Sequence, residues 1–328
     1  MARYWGFWTV GKLDLLRRYL NAFTTATKHK SSKVVYLDLF GGRAQNKERL
    51  TEIDLDGSAR IALSIDDPQF TTLRFFELEP SASKLRAALD ADFPNRNFRV
   101  IAGDCNATVA AALQELQHEN WAPTFAFIDP NGADVHWSTL EALSKFKKAG
   151  LSKTEMWILV AAGTFSRNLR TDGTVPESEA IKLTKMYGTD QWRLVYEAKL
   201  AGTLTAGEAR DEYVNLMRWR LEQVLGYKWT HPLEIFNEGG ASIYHMVFAT
   251  DSDAGNRIMT NLYNAAADEF PEMREQARRR RKRLDQEASG VHNLFGDELD
   301  VSIGPVTKGE KLYSHTPPTV PYGTMLDR

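Results

Sequence analysis

The sequence contains a single cysteine, Cys105, among 328 residues. An intrachain disulfide is excluded, as are a cysteine-built zinc site and an iron–sulfur cluster held by this chain alone, so stability must come from packing. No apolar run approaches the roughly 20 residues that a helix needs to cross a bilayer, and the start shows no basic segment followed by an apolar one. These absences set the expectation of a cytoplasmic protein with no membrane partner. A surplus of one charge is missing too: 41 Lys and Arg stand against 43 Asp and Glu, a formal net charge of −2. No global field draws the molecule onto a polyanion, and any nucleic-acid contact must be local. What is present is an ordinary globular composition, 43% apolar and 11% aromatic, which suffices for a sizeable core.

Hydrophobic periodicity organises the chain. Residues 5–23 place Leu13, Leu16, Tyr19 and Leu20 at helical spacing, which predicts a helix packed on a sheet. The run 34–40 is short and nearly continuously apolar, as a strand buried on both faces is, and it ends in Gly41-Gly42. Strand patterns at 74–77, 98–101, 124–128 and 156–161 then alternate with helical patterns at 81–91, 106–117 and 138–149, the rhythm of right-handed crossovers and a parallel sheet. Residues 164–226 carry helical patterns (177–187, 191–199, 208–225) with no strand between them. Two alternating runs, 229–236 and 242–250, flank a loop containing Gly239 and Gly240, as antiparallel strands do. The expected architecture is α/β: a Rossmann-like, class I methyltransferase seven-stranded, mostly parallel sheet with a terminal antiparallel hairpin and a helical insertion. The expected division is a cofactor-binding core over 1–163, the insertion over 164–226, a hairpin and helix of the core over 227–268, and a basic helix with an irregular tail over 269–328.

In an open parallel sheet ligands sit beyond the carboxyl ends of the strands, so the strand ends carry the candidate chemistry. The first ends Asp38-Leu39-Phe40-Gly41-Gly42, where glycines let a ligand approach the backbone and Asp38 can accept from a ligand's ammonium or from loop amides; a tight turn alone would also account for it. The second ends Glu77-Leu78-Glu79, with Glu77 placed to bind ribose hydroxyls or to complement the next helix dipole. At the third, Asp104 beside Cys105 either meets an adenine amine or caps the following helix. The fourth ends Asp129-Pro130-Asn131-Gly132; proline forces the chain out of the sheet directly after a carboxylate. Four acids at four successive strand ends suit a cationic, adenosine-containing ligand such as S-adenosyl-L-methionine better than a phosphate-rich nucleotide.

The chain resembles the three-Cys-motif partner (TcmP) proteins. The resemblance rests on Lys12 with Tyr19-Leu20, the segment 36–42, Gly57-Ser58, Phe76-Glu77, Gly103-Asp104-Cys105-Asn106, the segment 127–132 with Trp137, and Tyr244-His245-Met246-Val247-Phe248. It runs over about residues 5–268 and implies a class I methyltransferase-like fold and pairing with a protein bearing a three-cysteine, radical-SAM-like motif. One departure stands out. Where that family's first loop reads D-x-F-A-G-x-G, this chain has Gly41 at the alanine position and Ala44 at the last glycine, a methyl that would crowd a ligand.

The functional expectation is a methyltransferase using S-adenosyl-L-methionine, with Asp38, Phe40, Gly41, Gly42, Glu77, Asp104, Cys105 and Asp129 around the cofactor. Asp129 and Asn131 would face the acceptor, a nucleic-acid base or nucleotide. The segment after the fourth strand resembles the Asp-Pro-Pro-Tyr of amino methyltransferases acting on bases, without the aromatic that would stack a flipped base. Two alternatives stand beside it. One is an inactive partner protein that scaffolds a three-Cys-motif enzyme; the other is a hydrolase holding a metal with Asp129, Asp134 and His136. No metal site belongs to the leading reading. Arg167 and Arg170 follow the fifth strand and could meet an anionic group. The run Arg278, Arg279, Arg280, Arg281, Lys282 and Arg283 suits a phosphate backbone, or a solvated helix face paired with acids.

Overall fold

The computed structural model describes residues 4–169, 172–289 and 313–323. The chain opens with β1 (Tyr4–Trp5), α1 (Phe7–Thr27) and β2 (Val35–Asp38), followed by β3 (Gln45–Glu48), β4 (Asp54–Asp56) and α2 (Ser58–Ser64). A repeating series comes next: β5 (Thr72–Glu77), α3 (Ser81–Asp92), β6 (Phe98–Ala102), α4 (Cys105–Glu115), β7 (Thr124–Ile128), α5 (Trp137–Lys145) and β8 (Glu155–Val160). Four helices, α6 (Ala162–Asn168), α7 (Glu177–Tyr187), α8 (Trp192–Leu200) and α9 (Ala206–Gln223), separate β8 from β9 (Trp229–Phe236), β10 (Ser242–Thr250) and α10 (Asp253–Ser289).

The main sheet has the order β6-β5-β2-β7-β8-β10-β9. The first five are mutually parallel, and β10 runs antiparallel to both β8 and β9. This is the expected seven-stranded, mostly parallel architecture with its antiparallel hairpin. β2, β7 and β8 are buried at every position, because helices cover both faces and leave no polar side to alternate with. Tyr19 of α1 drives into the sheet between Phe125 and Phe248, with ring centroids 5.2 and 5.0 Å away. Sequence order reverses between β2 and β7, so the crevice at the switch point opens beyond their carboxyl ends, the place where ligands enter such sheets.

Three features depart from the sequence reading. Trp5 belongs not to α1 but to β1, which pairs with β3 in a small second sheet, β1-β3-β4. Strands such as Gln45–Glu48 and Asp54–Asp56 carry too little apolar alternation to declare themselves. α6 occupies the stretch directly after the fifth strand, where the periodicity predicts no helix. α10 runs unbroken through the boundary placed at 268/269, even though Pro271 removes a helical donor. Packing against α1 holds it: a Cβ on Gly11 would lie 2.8 Å from Phe270, and Arg18 Nη1 is 2.9 Å from Glu269 Oε1. Among the described residues no helix is long and apolar enough to cross a membrane.

Candidate active site

A cleft of about 840 Å³ opens at the switch point. Phe40, Gly41 and Gly42 after β2, Glu77 after β5, Asp104 and Cys105 at the start of α4, and Asp129 and Asn131 after β7 all line it. Parallel strands that end at one edge bring these sequence-distant segments together.

The loop after β2 is tied to its neighbours by backbone. Gly41 N–H donates to Phe76 O at 2.8 Å, and Gly42 N–H donates to Glu77 Oε2 at 2.7 Å. Gly42 sits at φ +61, in the left-handed region where a side chain is strained. Glu77 also accepts from Leu78 N–H at 3.0 Å, so its carboxylate spans the gap between β2 and β5. Ala44 is buried and is not part of the cleft lining; its methyl packs inward instead of crowding the opening.

Asp38 lies beneath the cleft, not in its wall. It is wholly buried and accepts from Phe40 N–H and Tyr36 Oη, each at 3.3 Å. Burial raises its carboxyl to about 7, with hydrogen bonds from Ser58, Phe40 and Tyr36 pulling down and nearby Asp129 pushing up. It therefore braces the first loop from below.

Asp104 is the N-cap of α4: Oδ1 accepts from Asn106 N–H at 2.9 Å. Of the two roles open to it, the capping contact is the one visible. Cys105 is buried, and desolvation with Asp104 beside it pushes the thiol up to about 12, which leaves it unsuited to attack.

Asp129 is the centre of the floor. Lys12, buried on α1, places Nζ 2.5 Å from Asp129 Oδ2 and 5.4 Å from the centroid of Tyr244. Burial alone would lower the Lys12 ammonium, but Asp129, then Tyr244 and Asp38, outweigh it and leave it above the ordinary lysine value. Lys12 is thus held as its ammonium against a carboxylate that is three-quarters buried. The sequence sets Lys12 beside the apolar stripe of this helix, with Arg17 and Arg18, and within the resemblance, and assigns it no role.

Asn106 was likewise missed as a contributor. Its Oδ1 accepts from His136 N–H and Thr139 Oγ1, both at 2.8 Å, and its Nδ2 donates to Asp134 O at 2.8 Å. One side chain fixes the loop after β7 to the start of α4. His136 is lowered by burial and by the neighbouring Lys185 cation. Among the described residues no group of three or more His, Cys, Asp or Glu side chains is gathered around a metal-sized space, so Asp129, Asp134 and His136 do not converge as a ligand set. Arg170 and the Arg167 side chain lie outside the described residues.

No family model matches the sequence, and no curated protein matches it. Two solved structures are similar in shape. One is protein LPL1258 from Legionella pneumophila strain Philadelphia 1, of family model DUF519, at TM-score 0.44 and 12% identity over 77% of this chain and 90% of that one. The other is the methyltransferase domain of bacterial CtHen1-C, at TM-score 0.31 and 11% identity over 72% of this chain and 98% of that one.

Proposed function

We propose that the chain is an S-adenosyl-L-methionine-dependent methyltransferase of the TcmP type, acting on a nucleic-acid base or nucleotide. One observation carries the reading. Gly41-Gly42, Glu77, Asp104 and Asp129, from four successive strand ends, wall a single cleft whose floor is acidic. A volume of 840 Å³ lies toward the upper end of small-molecule sites, roughly 300–1,000 Å³, and leaves space for an acceptor beside a cofactor. The donor set fits: paired glycines admit a ligand close to the backbone, Glu77 is placed for two hydroxyls, and Asp104 and Cys105 flank the adenine end. When bound, the cofactor would supply an electrophilic methyl on sulfur.

What the chain contributes is alignment and the handling of one proton. Lys12 fixes the Asp129 carboxylate in place, so Asp129 can accept a hydrogen bond from an acceptor N–H or O–H and hold its lone pair toward the cofactor. Asn131, exposed at the same wall, can share that task. The wall facing the Lys12 ammonium is aromatic, with Tyr244 and Phe127 within 6.0 Å, so the rings add a cation–π attraction that helps hold the ammonium in place.

The basic run supports a nucleic-acid partner by its location. Arg281 Nη1 reaches Glu238 Oε2 at 2.9 Å in the turn between β9 and β10. Ile243 and Tyr244, just after that turn, line the cleft, so Arg281 touches the turn that leads into the cleft wall, while Arg278 and Arg279 pair with Glu275 on their own helix. A second reading, a methyltransferase fold that binds cofactor without turnover and scaffolds a three-Cys-motif enzyme, is favoured by the neutralisation of Asp129 by Lys12.

Calorimetry with S-adenosylhomocysteine separates these readings. Binding is expected for the wild type, and a loss of about tenfold or more for Glu77→Ala, which removes a charged acceptor worth roughly 1.5–3 kcal/mol. Absence of heat at millimolar ligand removes the cofactor claim. Binding without methylation of RNA, DNA or nucleotide pools selects the scaffold.

A further inference from the structure

We infer that α7 is the acceptor-binding element of the cleft, and that Lys182 and Lys185 seat a phosphate of a polynucleotide acceptor beside Ile181. The inference rests on the methyltransferase reading and adds the chemistry of the second substrate.

The cleft carries opposite signs at its two levels. Glu77, Asp104, Asp129 and Asp134 line it toward the strand ends, where a sulfonium or an amine is stabilised. The helical insertion faces the same space with Ile181, Lys182 and Lys185. These lie at i, i+1 and i+4 of α7, one stripe of the helix. The opposite stripe, Ala180, Leu183, Met186 and Tyr187, is buried in the insertion, so packing does not require the first. Ile181 is 47% exposed, a large aliphatic side chain left open at a cleft mouth. Lys182 meets Glu179 at 3.6 Å, a surface pair of little strength. Among the described residues no carboxylate is paired with Lys185; the group it acts on is His136.

α7 is mounted rigidly over the site. Its C-cap Gly188, at φ +64, approaches Trp137 so closely that a Cβ would lie 2.5 Å from the indole. The Arg220 guanidinium also lies over the Trp137 ring, 4.5 Å from its centroid, and reaches Gly188 O at 3.4 Å. Trp137 directly follows His136 and begins α5, so the stripe is held at a fixed position above the Asp129–His136 loop.

Two cations one turn apart, an apolar platform beside them, and an acidic floor below match a base-bearing phosphodiester. The base descends toward Asp129 over Ile181 while its phosphate stays at the rim. A mononucleotide and a single strand share this chemistry. Arg281 of α10, held at the turn that leads into Ile243 and Tyr244 of the cleft wall, favours the strand, since it offers a further phosphate a place.

The test uses the full chain, fluorescence anisotropy with a fluorescein-labelled mixed-sequence 12-nucleotide RNA, competition by AMP and by polyglutamate, and calorimetry with S-adenosylhomocysteine. Lys182→Gln/Lys185→Gln is expected to weaken RNA binding roughly tenfold and to reduce the slope of log affinity against log salt by about 0.7, the value for one phosphate contact on a single strand. Ile181→Ser should weaken binding without changing that slope, and S-adenosylhomocysteine affinity should not move in either variant. RNA binding indifferent to the two lysines overturns the inference, as does cofactor binding with no RNA or AMP binding; in both cases the cofactor reading survives. Displacement by polyglutamate with the same lysine dependence also overturns it, in favour of an acidic protein. Strong competition by AMP supports the phosphate seat and identifies the free nucleotide as its source.

Discussion

At the scale of single residues, the Lys12–Asp129 pair dominates. Two charges taken out of water are sustained by each other, so removing one strands its partner. Lys12→Met is expected to lower stability by about 3–5 kcal/mol, and the double variant Lys12→Met/Asp129→Asn to recover most of it; urea unfolding of the wild type and the two variants measures both. Glu155 offers a pH test with a defined sign. It is buried, accepts from Tyr19 Oη and from Thr250 Oγ1 at 2.8 Å, and burial raises it to about 7. The folded state holds its proton more tightly than the unfolded one, so its contribution is whole below the ordinary carboxylate range and is lost as pH rises through about 7. Melting curves of wild type and Glu155→Gln should therefore converge at pH 4 and diverge by pH 8, with the glutamine variant the more stable at the alkaline end. A constant difference across that range would remove the assignment.

At the scale of elements, the insertion and the C-terminal segment carry the specific contacts. Gly188→Ala is expected to cost about 2–3 kcal/mol, from left-handed strain and from overpacking against Trp137, and to reduce RNA binding with it; denaturant midpoints and anisotropy report the two effects. Residues 313–323 lie against α9 and β9. Asn215 exchanges two hydrogen bonds with Thr319 at 3.0 and 3.1 Å, and His231 bridges Asn256 and Tyr313 at 2.6 and 3.0 Å. Since Asn256 presents an oxygen, His231 donates through Nε2 and accepts at Nδ1 from Tyr313 Oη. Burial holds His231 down to about 4, so its contribution is present above about 6.5 and is lost as pH falls toward 4. Hydrogen exchange at pH 4 should show 313–323 released while β2 and β7 stay protected.

These elements also mark what the sequence could convey. Strands buried on both faces, such as β2 and β7, announce themselves by apolar runs, and the glycine loop between β9 and β10 by its composition. The acids at the strand ends were readable because the topology rule says where to look. Lys12, Asn106 and the stripe on α7 were not: a lysine or asparagine on a helix looks alike whether it faces water or a cleft, and only the packed neighbours decide. Asp38 shows the reverse case, a strand-end acid whose residue type suggests ligand contact while its depth assigns it to the loop beneath.

At the scale of the whole molecule, a near-neutral chain is divided into an acidic floor and a basic rim. Binding of S-adenosylhomocysteine should therefore change little between 50 and 300 mM salt, whereas RNA binding should fall steeply; parallel titrations compare them. The position of β10 has a separate consequence. The last strand among the described residues, β10, lies inside the sheet, between β8 and β9, so β9 cannot join the sheet until β10 exists to bridge it. The hairpin must assemble on its own five-residue turn and arrive as a finished unit. A chain halted at residue 228 would leave the six fully buried residues of β8 as a bare hydrophobic border, open to strands from other molecules. Light scattering on such a fragment should find it self-associated, which makes completion of synthesis past Thr250 the moment at which the protein becomes safe from its own copies.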